Sequence, residues 1–150
     1  MNLKWLFLVA ISFFGLSVHA QNELKQAKED WQLLQSTQGL KFYIQEVECR
    51  DIQENFFQNS VLLKIENTLN NKVEIEWITK AFYDSKCADC DLIQKATINK
   101  DESIEGNCDI YSEYNNLRIF KSFLKKENQI TLDHVKVEVL SINGQKIAQQ

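Results

Sequence analysis

The sequence predicts a mainly β protein, an antiparallel two-sheet immunoglobulin-like sandwich of about seven strands with a short N-terminal helix. Three observations lead to this prediction. Apolar and polar residues alternate with period two in several runs between residues 40 and 142. Polar turns join these runs, whereas parallel pairing needs long crossovers that are usually helical. The chain has no proline and only four glycines, so asparagine must form many of its turns. A closed barrel is the alternative arrangement.

Residues 1–20 have the features of a secretory signal peptide. Lys4 precedes an apolar run from Trp5 to Leu16, and Ala20 stands before the expected cleavage point. The run is shorter than the ~20 residues that span a bilayer. We therefore expect cleavage, a periplasmic or secreted location, and no membrane insertion after signal cleavage.

Residues 21–39 are predicted to form an amphipathic helix followed by a turn. Their apolar positions recur along one helical face, at Leu24, Ala27, Trp31 and Leu34. Gly39 can adopt the left-handed conformation that ends a helix.

Residues 40–142 are predicted to form the sandwich domain, and the polar tail 143–150 is expected to fray. The candidate strands are the runs 40–49, 61–66, 73–83, 92–98, 103–108, 117–123 and 135–142. Asn70 and Asn71 favour a turn with positive φ, so the second and third runs are predicted to form a hairpin. Trp77 on the third run is the predicted core tryptophan.

The chain has four cysteines, which in an exported protein predict two disulfides. Of the three pairings, we favour Cys87–Cys90 with Cys49–Cys108, because the C-x-x-C thiols lie in one local loop. The chain-entropy model gives about 2 kcal/mol for that small ring and about 4 kcal/mol for the long one. A redox-active C-x-x-C, a four-cysteine zinc site and free thiols are the alternatives.

Composition excludes several classes of function. A formal net charge of -4 disfavours nucleic acid and anionic membranes as partners. The few glycines form neither a nucleotide-binding loop nor a nucleophile elbow. His134 lies beside Asp133, but no motif supplies a nucleophile for it to activate. We therefore predict no catalytic residue, no cofactor and no metal site.

Four aromatic residues are candidate binding residues for a protein or glycan partner. Phe56 and Phe57 interrupt a polar stretch that is predicted to be a loop, and Tyr111 and Tyr114 lie between Cys108 and the next strand. Exposed aromatic side chains often anchor recognition. The alternative is that these rings cover the open ends of the sandwich.

A resemblance extends over most of residues 31–142. It is carried by the stretches WQLLQSTQGLKFYIQEVECRD, VLLKIENTLNNKVEIEW, AFYDSKCADCD, SIEGNCD and LRIFKSFL. With these, the chain resembles a group of small exported β-sandwich proteins of unknown function from flavobacteria and related Bacteroidetes. The resemblance implies a cysteine ending the first strand, a C-x-x-C after the third, and an E-G-N-C-type turn before an aromatic strand. It also implies export and no catalytic residue.

The expected function is that of a non-enzymatic binding or accessory module of the cell envelope. The alternative is a thiol–disulfide redox protein that uses Cys87 and Cys90.

Overall fold

The structure, a computed structural model, describes residues 30–51, 56–124 and 130–148. In these residues ten strands form two antiparallel sheets of five strands each, so the mainly β, two-sheet prediction is confirmed. The strands are β1 (Gln32–Thr37), β2 (Leu40–Asp51), β3 (Phe56–Asn67), β4 (Val73–Tyr83), β5 (Lys86–Ala88), β6 (Ile93–Ile98), β7 (Ser103–Glu105), β8 (Arg118–Phe123), β9 (Leu132–Ile142) and β10 (Gln145–Lys146). The predicted signal peptide lies outside the described residues.

The first sheet is built around the β2–β3 pair, which runs in register from Leu40 opposite Asn67 to Asp51 opposite Phe56. β1 pairs with the other edge of β2, while β7 and β8 both pair with the far edge of β3. Phe56 and Phe57 therefore belong to a strand, and the prediction of a polar loop here is wrong. The backbone groups of β2 and β3 hydrogen-bond to each other as far as Asp51 and Phe56. The polar residues at this end of β3 therefore extend the β2–β3 hairpin.

The second sheet is built around β4. β9 pairs with one edge of β4, β5 and β6 pair with the other edge, and the short β10 pairs with the end of β9. The chain passes from the first sheet to the second between β3 and β4, returns between β6 and β7, and crosses again between β8 and β9.

The predicted hairpin between the second and third sequence runs is wrong, because β3 and β4 lie in different sheets. Asn67 at the end of β3 is fully buried, and its amide nitrogen donates to the main-chain carbonyls of Asn71 and Ile98 at 2.8 and 3.2 Å. These bonds hold an arch between the sheets. Neither Asn70 nor Asn71 is among the positive-φ residues of the described chain.

The main core fills the space between the two sheets. The prediction of Trp77 as a core residue is confirmed, since its side chain is 1% exposed and its indole N–H donates to Thr79 Oγ1 at 3.2 Å. The core consists of Leu40, Phe42, Leu63, Ile65, Val73, Ile75, Trp77, Ile98, Ile104, Leu117, Val137, Val139 and Ile142.

A second, smaller cluster lies on the opposite face of the first sheet. Val47, Cys49 and Leu62 are buried there, with Trp31 and Cys108 packed against them. Because side chains alternate between the faces of a strand, Leu62 points away from the main core that holds its neighbour Leu63. The first sheet is therefore covered by protein on both faces at this end.

The predicted N-terminal helix is wrong over the part that the structure describes, because Gln32–Thr37 is strand β1. Pairing with the edge of β2 satisfies the backbone here and outweighs the local helical periodicity. The prediction of a fraying tail also fails over residues 145–147. Gln145 and Lys146 pair with β9, and the Ile147 N–H donates to the carbonyl of Leu140 at 2.9 Å.

Candidate functional site

The disulfide between Cys49 and Cys108 defines the first candidate region, and it confirms the favoured pairing. The two residues are separated by 59 positions, and their Cα atoms lie 5.3 Å apart. Cys49 is fully buried at the end of β2, whereas Cys108 belongs to the connection between β7 and β8. The bridge therefore fixes this connection, residues 106–117, against the outer face of the first sheet.

Side-chain hydrogen bonds brace the first half of this connection from within. Asn107 Oδ1 accepts the N–H of Asp109, and Asp109 Oδ1 accepts the N–H of Tyr111, both at 2.9 Å. These bonds form two consecutive turns in which a short polar side chain binds the backbone two residues ahead. The backbone leading to Tyr111 is thereby held in one conformation.

The second half of the connection is fastened to both sheets. Arg118 Nη1 donates to the carbonyl of Cys108 at 2.9 Å, and Asn116 Nδ2 donates to Gln94 Oε1 on β6 at 3.1 Å. Burial lowers the pKa of the Arg118 guanidinium below its ordinary value, and the Asp109 carboxylate partly offsets this effect. Leu117 is fully buried in the main core. The loop is thus held against the sandwich by contacts with both sheets.

The two predicted tyrosines of this loop have different environments. Tyr111 is 77% exposed, the largest exposed fraction among the exposed large hydrophobic and aromatic residues of the described chain. Tyr114 is half-buried and packs against the main core. Tyr111 is therefore the exposed ring of this loop, while Tyr114 packs the loop against the core.

The structure does not bring Phe57 to the same place. Phe57 is half-buried on β3 opposite Arg50, whereas the adjacent pair is Cys49 with Gln58. Because neighbouring pairs point to opposite faces, Phe57 lies on the other face of the sheet from the disulfide. Phe56 opens the same strand.

The second disulfide, Cys87–Cys90, lies at the edge of the second sheet and also confirms the favoured pairing. Cys87 is exposed on β5 directly opposite Phe82, whose ring stacks on His134 with centroids 4.4 Å apart. The C-x-x-C joins a short strand to a turn. It therefore lacks the helix N-terminus that lowers the thiolate pKa in redox-active motifs.

Three of the acidic residues around this disulfide have a structural partner or a positive φ. Asp133 Oδ2 accepts the N–H of Ser85 at 2.9 Å, while Asp84 and Asp89 adopt positive φ. In the described parts of the chain, no three histidine, cysteine, aspartate or glutamate side chains are grouped to hold a metal ion. No helix in those parts has the length and apolarity to cross a membrane.

Sequence reasoning did not identify the residues that brace Tyr111. These residues, Asn107, Asp109 and Arg118, form hydrogen bonds with backbone groups of the loop. The signal in the sequence was the pair of turn-forming residues at positions 107 and 109. Gly106, at the start of the loop, was also missed as a packing position. A Cβ there would lie 2.5 Å from the carbonyl oxygen of Leu117.

No protein-family model, curated protein or solved structure matches this chain.

Proposed function

We propose that the protein is an exported, non-enzymatic binding or accessory module of the cell envelope, and that Tyr111 anchors its protein or glycan partner. The exposed ring of Tyr111 on a braced loop carries this proposal. A large amphipathic ring loses little conformational entropy on binding, and a preorganised loop lowers the cost of association further.

The two disulfides support export of the chain after cleavage of residues 1–20. Disulfides form and persist in oxidising compartments and are rare in the cytosol. We further propose that the chain has the same order of strands and cysteines as the small exported Bacteroidetes proteins that its sequence resembles.

We also propose an immunoglobulin-like arrangement of the strands. The order β2-β3-β7/β8 faces the order β10-β9-β4-β6, and the chain changes sheet after β3, β6 and β8. This order corresponds to strands A-B-E opposed to G-F-C-C′ in such sandwiches. In this arrangement the connection that carries Tyr111 is an insertion beside strand E.

The test is a comparison of wild type with Tyr111→Ala and Glu113→Ala. Each variant is immobilised and exposed to envelope extract in one arm and to purified envelope polysaccharides in the other. Removal of an anchoring aromatic ring typically weakens binding by about tenfold or more, so we expect that loss for Tyr111→Ala only. Glu113 is exposed on the same loop and serves as the matched control.

Equal binding by Tyr111→Ala and wild type in both arms would contradict the assignment of the anchor. Phe57→Ala then tests the aromatic candidate on β3.

The exposure of Cys87 favours a second candidate function, thiol–disulfide exchange at Cys87 and Cys90. An exposed disulfide is accessible to an attacking thiolate. With dithiothreitol supplied as the reductant, faster insulin reduction by wild type that is lost in Cys87→Ala/Cys90→Ala would support this function. A wild-type protein that does not accelerate the reduction by dithiothreitol would exclude it and leave the binding function as proposed.

A further inference from the structure

β9 forms an edge of the second sheet over most of its length. β10 pairs only with Ile142 and Ser141, and the Ile147 N–H reaches Leu140. Over residues 132–139, no strand of the described chain covers the edge opposite β4. Such an edge presents unpaired backbone groups to any strand that approaches it.

The uncovered edge opens into a groove between the two sheets. The groove has a volume of about 680 Å³ and is lined by Val137, Glu138 and Val139 of β9, by residues 35–38 and by Ile147 and Ala148. The wall opposite β9 consists of Gln35, Ser36 and Thr37 of β1 and Gln38 of the following turn, which carry no charge. This wall would therefore not repel a strand on electrostatic grounds.

The charges of β9 are arranged symmetrically about Val137. Lys136 and Glu138 flank this residue, and Val135, Val137 and Val139 face the core with 9%, 8% and 7% exposure. The pattern reads Val-Lys-Val-Glu-Val. Its two charged side chains project from the opposite face of the sheet, which faces solvent.

Lys136 lacks a carboxylate partner in the described chain. It lies directly opposite Lys80 of β4, and Lys80 forms its ion pair with Glu138 instead. The ammonium of Lys136 lies over the Phe82 ring, 5.6 Å from the centroid. Like charges directly opposite each other destabilise a sheet, so Lys136 would gain from an additional carboxylate.

We propose that β9 pairs antiparallel with β9 of a second copy, about a two-fold axis at Val137. Directly opposed residues of an antiparallel pair lie on the same face of the sheet. Core-facing residues of one copy must therefore oppose core-facing residues of the other, which requires the two-fold axis to pass through a residue and not between two residues. Centring on Lys136 opposes two lysines, and centring on Glu138 opposes two glutamates. Centring on Val137 places each Lys136 opposite Glu138 of the partner subunit and each Val135 opposite Val139.

A lysine on an edge strand ordinarily prevents strand pairing. Here the same lysine specifies the register, because only the Val137-centred arrangement gives it a carboxylate on the other copy. Register shifts between β4 and β9 occur at Glu76/Trp77 and at Phe82/Tyr83. Between these two shifts, β9 is regular over about residues 134–139, which are nearly the residues that the Val137-centred register pairs. The interface is therefore short, and its affinity depends strongly on the two charge pairs.

The experiment uses sedimentation velocity on protein purified after expression of the full-length gene. Wild type is expected to show a reversible monomer–dimer equilibrium. Lys136→Glu and Glu138→Lys each convert two attractive pairs into two repulsive pairs. Each is expected to raise the dimer Kd by about tenfold to hundredfold. Lys72→Glu and Glu113→Lys make the same changes of net charge at exposed positions away from β9, and they are expected to dimerise like wild type.

Mixing the two β9 variants is the decisive arm. At both charge pairs of the mixed dimer, the Lys136→Glu variant would contribute a carboxylate and the Glu138→Lys variant an ammonium group. The mixture is therefore expected to form a heterodimer with restored affinity. A variant that had simply lost its fold could not be rescued in this way. A wild-type protein that stays monomeric, β9 variants that dimerise like wild type, or a mixture without restored affinity would each overturn the proposal.

Discussion

The side-chain amide of Asn67 donates a hydrogen bond of 3.2 Å to the main-chain carbonyl of Ile98, which joins the last residue of β3 to the last residue of β6. The bond links the two sheets at one end of the sandwich. The same nitrogen donates to Asn99 at 3.0 Å, and Asn67 Oδ1 accepts the N–H of Leu69 at 3.0 Å. Asn67 is thus a buried polar residue with both ends of its amide satisfied.

Replacing Asn67 is expected to destabilise the fold strongly. Asn67→Ala leaves the buried carbonyl of Ile98 without this donor, which costs about 1–3 kcal/mol. Asn67→Asp places a carboxylate beside this carbonyl and is expected to cost more. Chemical denaturation measures both. Asn70→Ala, at an exposed position three residues away, is the control and is expected to change stability by less than about 0.5 kcal/mol. Equal stability of Asn67→Ala and Asn70→Ala would contradict this role.

The two disulfides are expected to contribute unequally to stability. Removing Cys49–Cys108 as the double alanine variant should cost about 4 kcal/mol, whereas removing Cys87–Cys90 should cost about 2 kcal/mol, because the longer loop restricts the unfolded chain more. Cys49 is also fully buried, while Cys87 is exposed. Denaturation midpoints of the two variants provide the measurement. A larger loss for Cys87→Ala/Cys90→Ala would show that the local ring stabilises the second sheet directly.

The parts of the fold that the sequence predicted are those that depend on local alternation and on composition. One face of β9 is buried, and Val135, Val137 and Val139 on that face alternate with polar residues. This alternation is the sequence signal that predicts a half-buried strand. The pairing of four cysteines followed from the proximity of Cys87 and Cys90. Both features are recorded in the sequence itself.

The parts that the sequence did not predict depend on contacts between distant segments. Gln32–Thr37 has helical periodicity but becomes strand because the edge of β2 is beside it. The alternation of β3 and β4 is the same whether they share a sheet or lie in opposite sheets. The bonds of the buried Asn67 amide, which accompany the second arrangement, join segments that are distant in sequence. Tyr111 and Tyr114 are similar in sequence context, and only the packing of the loop separates the exposed ring from the half-buried one.

Tyr83 is expected to couple stability to alkaline pH. Its hydroxyl donates to the carbonyl of Phe120 at 2.6 Å, across the two sheets. Burial, and secondarily the negative charge of Asp89, raise the pKa of Tyr83 above its ordinary value. Because the pKa of Tyr83 is raised in the folded state, the protonated side chain contributes to the free energy of unfolding. This contribution is fully present below the unfolded-state pKa near 10 and is lost as pH rises through the folded-state pKa.

The Tyr83→Phe variant tests this coupling. It is expected to lose about 1 kcal/mol at neutral pH and to show a weaker decline in stability at alkaline pH than wild type. Denaturation at neutral and alkaline pH, together with spectrophotometric titration of the tyrosines, measures both effects. Tyr111→Phe, at the exposed ring, is the control for the titration. Identical alkaline declines in Tyr83→Phe and wild type would exclude Tyr83 as the group responsible.

Gly106 is expected to be required both for stability and for the position of Tyr111. In Gly106→Ala the new Cβ would lie 2.5 Å from the main-chain oxygen of Leu117, while the Gly106 N–H is held by the carbonyl of Leu63 at 2.9 Å. Neither side of this contact can move without displacing the loop from the first sheet. We expect a loss of about 1–3 kcal/mol in the free energy of unfolding, as for overpacking elsewhere, and weaker binding to the partner that we propose for Tyr111.

Gly144→Ala is the matched control for Gly106→Ala. Gly144 has φ +75° and nothing within 4 Å of a new Cβ, so its substitution introduces backbone strain alone, which costs about 1–2 kcal/mol. The two variants are therefore similar in stability loss but differ in mechanism. Amide hydrogen exchange separates them, because only Gly106→Ala should accelerate exchange at the turn amides of Asp109 and Tyr111. Unchanged exchange at these amides in Gly106→Ala would show that the loop keeps its conformation without this close packing.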